Sequence, residues 1–505
     1  MNTRQYARKI AAMGLAGVVI SVFGASNAEA ADGDLDPNFG DNGAVTTDFF
    51  GRSDFIGGIA IEKNGKIVAV GSAVNDPFAG DQIALARYNK DGSLDRSFGD
   101  GGKVIMQIPL DTGGFFISDA SGVAILHDNK ILIAGRVFNP VTSRGNFALL
   151  RYQNNGQLDQ RFGEEGIAIT EFEGVNSSAG DLALQPDGKI VALGTVTSSN
   201  DFSIALARYN PDGQLDDSFG NGGKVVTNIA RIETASAVHL TKDGKILVTG
   251  RICALDSDST CSRTDEDFIL LRYNSDGSLD SSFGNEGKVT VNVDVCDAGN
   301  AIDVAPDGRI TVAGGTSGFR PCRPLVPTTS FVILRFTPDG VLDASFGTEG
   351  KVRTSFGGPE GGSYGTDVAI VRDEFNLKIV VGGYFREGPA SQAGSNVSDF
   401  IVARYLWNGS VDASFGRSGM ATADFGGTQD RTSSLAIQRN GDIVLAGFAT
   451  QIGSFSDFAI ARFLSDDCPL SFLNDGKLKR SITSPLLNPT IDLLDDFVGC
   501  RDSHF

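Results

Sequence analysis

A six-residue pattern, Leu-Asp-x-x-Phe-Gly, recurs along the chain. It begins at Leu35, Leu94, Leu158, Leu215, Leu279 and Leu342, and a Val-Asp version begins at Val411. The phenylalanines of successive copies, at positions 39, 98, 162, 219, 283, 346 and 415, are 59, 64, 57, 64, 63 and 69 residues apart. A period of about sixty residues, kept over seven copies, indicates a repeat architecture in which each copy is one structural unit.

A single copy, residues 224–284, shows what the unit contains. Apolar and β-branched runs at 224–229, 235–241, 245–251 and 267–274 predict four strands in that order. The second and third runs flank Lys242-Asp243-Gly244, and Asp-Gly between two apolar runs favours a tight hairpin because glycine accepts a positive φ. No helical periodicity accompanies the 64 glycines of the 505 residues, so each unit is all-β.

Seven four-stranded units of this length predict a seven-bladed β-propeller. An open β-solenoid is the alternative, but its rungs are shorter and do not need four strands each. A closed ring also removes the exposed sheet edges that an open array has to protect.

One charge spacing predicts how neighbouring blades are joined. The arginine of each fourth strand precedes a linker aspartate by eight residues. The pairs are Arg87/Asp95, Arg151/Asp159, Arg208/Asp216, Arg272/Asp280, Arg335/Asp343 and Arg404/Asp412. We expect each pair to form a structural ion pair, with the linker phenylalanine filling the seam, meaning the interface between two neighbouring blades.

The seventh arginine, Arg462, lacks this partner because position 470 is leucine. The first linker has no preceding blade, so we expect Asp36 and Phe39 to complete the seam beside Arg462 and close the ring. The alternative is the worn linker copy at 471–477, which could compete for that seam or cap the ring.

The two ends of the chain differ from the repeats. Basic residues precede an apolar run at 10–23, and Ala28-Glu29-Ala30 follows it, so residues 1–30 predict a cleaved secretory signal peptide. A retained membrane anchor is the alternative, and the Ala-x-Ala ending favours cleavage. We expect an exported protein, periplasmic or extracellular, with the propeller at 31–463 and a disulfide-closed C-terminal tail at 464–505.

The formal net charge of −19 limits the partners. An acidic chain without a basic block is a poor partner for nucleic acid or for anionic membranes. The acidity indicates solubility, with a cationic partner as the alternative. We expect no binding to nucleic acid and no membrane insertion after signal cleavage, and we also expect a monomer.

Six cysteines in an exported chain suggest three disulfides, although six allow fifteen pairings. Proximity in sequence favours Cys253–Cys261, Cys296–Cys322 and Cys468–Cys500. A metal cluster is the alternative, but the spacings fit no zinc pattern and no histidine lies near a cysteine.

The repeated segments resemble those of the delta-60 repeat family, bacterial exported proteins whose repeats carry LDxSFGxxGKV, DGKIVVAG and DFALARYNxDG. Here 215–225, 187–194 and 202–213 are nearly the same, and the resemblance covers 35–463. It implies a β-propeller. It implies no activity, because the family has no defining reaction or catalytic residues to carry over.

The sequence offers no catalytic constellation. His127, His239 and His504 are the only histidines, and no serine, cysteine or aspartate motif frames them. Residues 210–216 are similar to a calcium-binding loop, but the first ligand position falls on Arg208 and the terminal glutamate is missing, so a plain Asx or β-turn is favoured. We therefore predict no cofactor, with calcium as the one alternative.

Connections between strands alternate between the two faces of a blade. The Asp-Gly-type hairpins and the linkers share one face and are nearly identical in every copy; we call it the uniform face. The other connections vary in length and carry Cys253, Cys261, Cys296 and Cys322; we call this the variable face. Aromatic residues assigned to the variable-face loops are Phe78, Phe115, Phe116, Phe138, Phe319, Tyr384 and Phe385.

A rigid scaffold with variable loops is typical of binding proteins. We therefore expect an exported scaffold that binds a protein or a glycan through the variable face. The alternative is that these loops vary in sequence without binding any ligand. The runner-up is an enzyme, a hydrolase or a calcium- or quinone-dependent dehydrogenase, acting in the central channel. It ranks second because we find no concentration of inward-facing histidine, glutamate or arginine in the sequence. A cell-envelope structural component is a third reading, without a sorting signal to support it.

Overall fold

The computed structural model describes residues 30–75, 81–106, 116–139, 141–198, 201–229, 233–253, 266–317, 329–356, 361–373, 376–386, 397–451 and 455–469. Within these ranges no helix is long and apolar enough to cross a membrane. The regular secondary structure there consists of strands.

In chain order the strands are β1 Ala44–Thr47, β2 Asp54–Ile61, β3 Ile67–Val74, β4 Asp81–Tyr88, β5 Lys103–Ile105, β6 Phe116–Ile125, β7 Ile131–Asn139, β8 Arg144–Tyr152, β9 Ile167–Thr170, β10 Asn176–Leu184, β11 Ile190–Ser198, β12 Asp201–Tyr209, β13 Lys224–Thr227, β14 Glu233–Leu240, β15 Ile246–Cys253, β16 Glu266–Tyr273, β17 Lys288–Val291, β18 Cys296–Val304, β19 Ile310–Ser317, β20 Thr329–Phe336, β21 Lys351–Thr354, β22 Gly362–Arg372, β23 Leu377–Arg386, β24 Asp399–Leu406, β25 Met420–Ala423, β26 Gly427–Ile437, β27 Ile443–Gln451, β28 Ser456–Phe463 and β29 Cys468–Pro469.

Seven antiparallel blades form a β-propeller, as the repeats predict. Blades 1 to 6 are β2–β5, β6–β9, β10–β13, β14–β17, β18–β21 and β22–β25, and blade 7 is β26–β28 with β1 as its fourth strand. The inner strand of every blade contacts the inner strands of both neighbours, and β26 contacts β2, so the ring is closed.

The order of strands within a blade corrects one sequence-based assignment. Residues 224–229 were expected to open a blade, but β13 pairs with β12 and is the outermost strand of blade 3. Sequence cannot tell whether a short edge strand pairs with the strand before it or the strand after it, because both partners present an open edge. The two faces keep their members, since the strands still alternate in direction.

The hydrophobic core is divided among the seven seams. Each seam holds one apolar cluster drawn from two neighbouring blades, and one fully buried linker phenylalanine lies in each cluster. These residues are Phe39, Phe98, Phe162, Phe219, Phe283, Phe346 and Phe415. The prediction that the linker phenylalanine fills the seam is therefore confirmed.

The N-terminal segment closes the ring. Strand β1 pairs with β28 as the outermost strand of blade 7. Asp36 Oδ2 lies 2.9 Å from Arg462 Nε and 2.5 Å from Nη2, and the Arg462 guanidinium stacks on Phe39. The predicted closure by Asp36 and Phe39 is confirmed. Strand β29, which follows blade 7 in the chain, does not pair with blade 7. It pairs with the uniform-face end of β22, the inner strand of blade 6.

Every inner strand carries a β-bulge, which shifts its register against the second strand of the blade. The extra residues at this shared bulge are Gly57, Ser121, Gly180, Ser236, Asn300, Thr366 and Ser433, and β6 and β26 have a second bulge at Ser118 and Thr428. At Gly57 blade 1 approaches blade 2 so closely that a Cβ atom would lie 2.2 Å from the Ala120 carbonyl oxygen, so only glycine fits there. The bulges bend the inner strands where they surround the channel.

Candidate functional site

The repeated charges of the uniform face form structural networks. All six predicted pairs are ion pairs, with Nε to Oδ2 distances between 2.7 and 2.9 Å. In blade 3 the Arg208 guanidinium also stacks on Phe219 and donates a hydrogen bond to the Ser275 carbonyl of the next blade. Each arginine therefore joins its own linker to the neighbouring blade, and it is buried by doing so.

A second cation stabilises each of these six aspartates. Lys66 Nζ lies 2.7 Å from Asp95 Oδ2, beside Arg87. Burial opposes ionisation of Asp95, but the hydrogen bonds from Lys66 and Ser97 and the charge of Arg87 outweigh it and lower the pKa of that carboxyl. These repeated groups thus have protein partners and leave little for a ligand.

The variable face presents a different arrangement where blades 6 and 7 reach the channel. Tyr364 of β22 and Tyr384 of β23 are directly opposite each other, with ring centroids 5.8 Å apart. The Arg431 guanidinium of β26 lies 5.2 Å from the Tyr384 ring centroid. Arg386 ends β23, two residues after Tyr384. We call Tyr364, Tyr384, Arg386 and Arg431 the Tyr–Arg cluster.

The two arginines of the Tyr–Arg cluster lack partners. The Nε atoms of Arg386 and Arg431 are both buried and make no hydrogen bond, and the described part of the chain gives neither guanidinium an ion pair. Burial, reinforced by the Tyr364 hydroxyl, raises the pKa of Tyr384 although both arginines oppose the shift. In a chain of net charge −19 this is a local excess of positive charge.

Local packing holds the tyrosines in place. The Tyr364 ring lies over Gly315 of the neighbouring blade, where a Cβ atom would be 2.3 Å from the ring. The absence of a side chain at Gly315 therefore makes room for the ring. The tyrosines form an aromatic surface beside the arginines on the variable face.

The aromatic residues predicted from the sequence lie in different parts of the structure. Phe78, Phe115 and Phe319, and the side chain of Phe116, lie outside the described residues. Phe138 lies in β7, with the Arg136 guanidinium 5.8 Å from its ring centroid. Tyr384 belongs to the Tyr–Arg cluster. Phe385 was assigned to a loop but lies in β23 and is only 8% exposed, because alternate strand residues point into the core between blades 5 and 6.

The described residues include no free cysteine, and Cys253 and Cys296 are disulfide-bonded. They flank Glu266, which pairs with both, so two strand spacings separate them and they cannot bond to each other. The expected partners, Cys261 and Cys322, lie outside the described residues, as do Cys500 and the side chain of Cys468. The three pairings therefore stay predictions.

The turn at 210–216 is an Asx turn, as favoured from the sequence. Asp212 Oδ1 accepts the Gln214 N–H at 3.0 Å, and Asp216 pairs with Arg208. Its carboxylates are thus held by the protein itself.

Comparison with known proteins bears on the fold. The sequence model of the family described as "Domain of unknown function (DUF5122) beta-propeller" matches residues 62–98, 127–162, 185–219, 256–283, 305–346, 378–415 and 438–467, one segment in each repeat. The chain belongs to a β-propeller repeat family. No curated protein matches it.

Among solved structures, the propeller is similar to a protein of unknown function from Dyadobacter fermentans DSM 18053, at 12% identity and a TM-score of 0.42, covering 83% of this chain and 97% of that one. It is similar to the polysaccharide lyase Uly1, at 12% identity and a TM-score of 0.48, covering 82% and 90%. It is also similar to the β-propeller domain of the Trilobed protease from Pyrococcus furiosus, at 8% identity and a TM-score of 0.39, covering 86% and 100%. At these identities the similarities say nothing about activity.

The channel of the propeller contains ionisable groups that the sequence analysis missed. His239 Nδ1 of β14 lies 3.9 Å from Asp303 Oδ1 of β18, and both line a cavity of about 510 Å³ on the uniform-face side. Burial lowers the pKa of His239 and raises that of Asp303. Aligning the inner strands on their hairpins reveals the signal, since the equivalent positions are Ala60, Ala124, Ala183, Ala369 and Ala436.

Two further carboxylates, Asp181 of β10 and Asp367 of β22, follow bulges of inner strands. Each accepts a backbone N–H from the next blade, from Val238 at 2.8 Å and from Leu435 at 2.6 Å. Burial raises the pKa of Asp181 to about 7 and that of Asp367 to about 6. Inner strands have an edge toward the channel whose backbone N–H groups have no partner strand. These carboxylates accept hydrogen bonds from such N–H groups, so their role at this edge is structural.

Proposed function

We propose that the protein is an exported binding propeller whose Tyr–Arg cluster holds an acidic glycan, one that carries carboxylates on its sugar rings. The observation that carries this proposal is the pair of buried, unpartnered Nε–H groups on Arg386 and Arg431. A buried donor without a partner costs about 1–3 kcal/mol, so a ligand that supplies an acceptor recovers that free energy.

The chemistry of the cluster selects the ligand class. Arginine presents a planar fork that matches a carboxylate with two parallel hydrogen bonds. Tyr384 beside it offers a rigid ring face on which the apolar side of a sugar ring can pack. A carboxylate-bearing sugar satisfies both requirements, whereas a neutral sugar leaves the guanidinium groups unpaired.

Two more features support a binding role for this face. The uniform face engages its repeated arginines, lysines and aspartates in ion pairs. Six of its seven hairpins span five residues, as at 62–66 and 241–245, and the seventh, at 373–376, spans four. On the variable face the connection from β11 to β12 spans 199–200, whereas that from β15 to β16 spans 254–265. The narrower membership of the delta-60 repeat family and the secretory signal stay predictions, and both agree with export.

The test is binding of an oligogalacturonide to the full mature chain by calorimetry, with the neutral oligogalactoside as the comparison ligand. Arg431→Gln should weaken the oligogalacturonide at least tenfold, since a hydrogen bond to a charged group contributes about 1.5–3 kcal/mol. Arg353→Gln is the matched control, because Arg353 is a variable-face arginine that already pairs with Asp294 at 2.8 Å.

Equal affinity for the acidic and the neutral oligosaccharide would overturn the proposal. Binding of an acidic peptide without binding of the oligogalacturonide would replace the glycan by a protein partner. Loss of affinity in Arg353→Gln equal to that in Arg431→Gln would move the site away from the Tyr–Arg cluster.

A second candidate, an enzyme acting in the channel, is favoured by His239 and Asp303, which face the cavity in place of the alanines of most blades. Such a pair can transfer a proton. Turnover of any substrate that is lost in Asp303→Asn but kept in Arg431→Gln would favour this function.

A further inference from the structure

Three seams contain an aspartate at the same place near the start of an inner strand. Asp54, Asp297 and Asp430 occupy this position in blades 1, 5 and 7, and all are at most 1% exposed. In each, Oδ2 accepts a backbone N–H from the strand connection that precedes it, at 2.7 Å from Phe49, 2.6 Å from Val293 and 2.9 Å from Phe425. The second oxygen, Oδ1, distinguishes the three seams.

Between blades 4 and 5 the protein itself satisfies the acidic groups. Thr316, directly across from Asp297 in the sheet, donates its hydroxyl to Asp297 Oδ1. The neighbouring acid, Asp267, accepts a hydrogen bond from the Asn292 side-chain amide at 2.7 Å. This seam holds two carboxylates, and both have protein donors.

On the two sides of blade 7 the same donors are missing. Ala73 stands across from Asp54 and Ala449 across from Asp430, where blade 5 has Thr316. The Oδ1 atoms of Asp54 and Asp430 are buried without a hydrogen bond.

Aspartate also replaces the amide of Asn292 on both sides of blade 7. Asp48 stands at that position between blades 7 and 1, and Asp424 between blades 6 and 7. The third carboxylates are Asp457 and Asp399, at the place of Asp267. In each group one oxygen per residue lies within 4.8 Å of the other two.

We propose that Asp399, Asp424 and Asp430 bind one calcium ion, and that Asp48, Asp54 and Asp457 bind a second. Calcium takes oxygen ligands at about 2.3–2.6 Å, so two oxygens on one ion lie at most about 5 Å apart, as these do. In the seam between blades 4 and 5, hydrogen bonds from Thr316 and Asn292 stabilise the carboxylates. On the two sides of blade 7 the bound calcium ion takes that role.

The two sites differ in competing charge. Lys103 Nζ donates to the Asp48 carbonyl at 2.5 Å and partly compensates the group around Asp54. The corresponding position beside Asp430 is Ala44, which carries no charge. The site of Asp399, Asp424 and Asp430 is therefore the tighter of the two.

The position of the sites implies a role in ring closure. Asp48 directly follows β1, the strand that completes blade 7, whereas Asp54 belongs to blade 1. A calcium ion between them fastens the closing strand to both neighbouring blades. The other ion fastens the opposite side of the same blade.

The test compares the wild type with Asp424→Asn/Ala449→Thr, which copies the solution of the seam between blades 4 and 5. Equilibrium dialysis of the full mature chain should give two calcium ions for the wild type and one for the variant, with a Kd of about 10⁻⁴–10⁻³ M, typical of extracellular modules. In EDTA the variant should have the higher Tm, because its buried oxygen gains a donor and one carboxylate is removed.

The reverse change at the seam between blades 4 and 5, Asn292→Asp/Thr316→Ala, should create a third calcium-binding site. Absence of binding to the wild type at about 10 mM calcium, some ten times the upper end of that range, would overturn the proposal. An equal calcium-induced rise of Tm in the wild type and in Asp424→Asn/Ala449→Thr would also overturn the site of Asp399, Asp424 and Asp430. Preference for magnesium over calcium would contradict the choice of ion.

Discussion

Arginine occurs on both faces of the propeller, in opposite circumstances. Arg404 on the uniform face is 1% exposed in its side chain and pairs with Asp412 at 2.8 Å, Asp32 at 2.6 Å and Asp467 at 2.7 Å. Arg431 on the variable face has a buried Nε without any partner. The first residue stabilises the fold, and the second leaves hydrogen-bonding capacity for a ligand. Repetition marks the structural residues, and departure from repetition marks the candidates for function.

The largest effect is expected at the uniform face. Arg404→Ala leaves the buried Asp467 and Asp412 with Lys378 as their shared cation, at 3.1 and 3.4 Å. Breaking a buried ion pair costs about 3–5 kcal/mol, so the free energy of unfolding should fall by that amount in a urea titration. The equivalent Arg208→Ala leaves one aspartate, which keeps Lys189 at 2.9 Å, and should cost less.

Ring closure gives the next effect in size. Asp36→Ala removes the partner of the buried Arg462 and should lower the free energy of unfolding by about 3 kcal/mol. Asp216→Ala, the same change in an interior seam, should give a similar loss. If Asp36→Ala left the urea midpoint unchanged while Asp216→Ala lowered it, the N-terminal segment would not close the ring.

The channel carboxylates predict an effect that depends on pH. The folded chain raises the pKa of Asp181 to about 7 from an ordinary value of 3.8, so the folded state binds more protons than the unfolded state between these values. Stability should therefore fall as the pH rises from about 4 to about 7 and then level off. Asp367, with a pKa of about 6, acts in the same direction.

Asp181→Asn is the variant that isolates this contribution. Its free energy of unfolding should change less between pH 4 and pH 8 than that of the wild type, whatever its absolute stability. A parallel pH profile in the two proteins would show that Asp181 titrates normally.

What the sequence could predict follows from the same distinction. The repeat reveals the blades, the Arg–Asp pairs, the linker phenylalanines and the closure by Asp36, because each copy repeats the same physical requirement. It could not assign β13 to its blade, because pairing of an edge strand depends on tertiary contacts.

Single departures from the repeat were harder to interpret. His239 and Asp303 become visible only once the inner strands are aligned on their hairpins and the bulges are placed. The partnerless Nε atoms of Arg386 and Arg431 depend on which side chains surround them in space. Phe138, Tyr384 and Phe385 were all assigned to loops but lie in strands, because β7 and β23 extend further than their apolar patterns show.

The smallest stability effect is expected at Arg431, and it is the most informative. Arg431→Gln removes a guanidinium whose buried Nε has no hydrogen bond to lose, so the free energy of unfolding should not fall. Its stacking on Tyr384 should weaken. A loss as large as that of Arg404→Ala would mean that Arg431 is structural, and the contrast between the faces would fail. A near-zero loss of stability combined with a tenfold loss of oligogalacturonide binding would separate the two roles of arginine within one propeller.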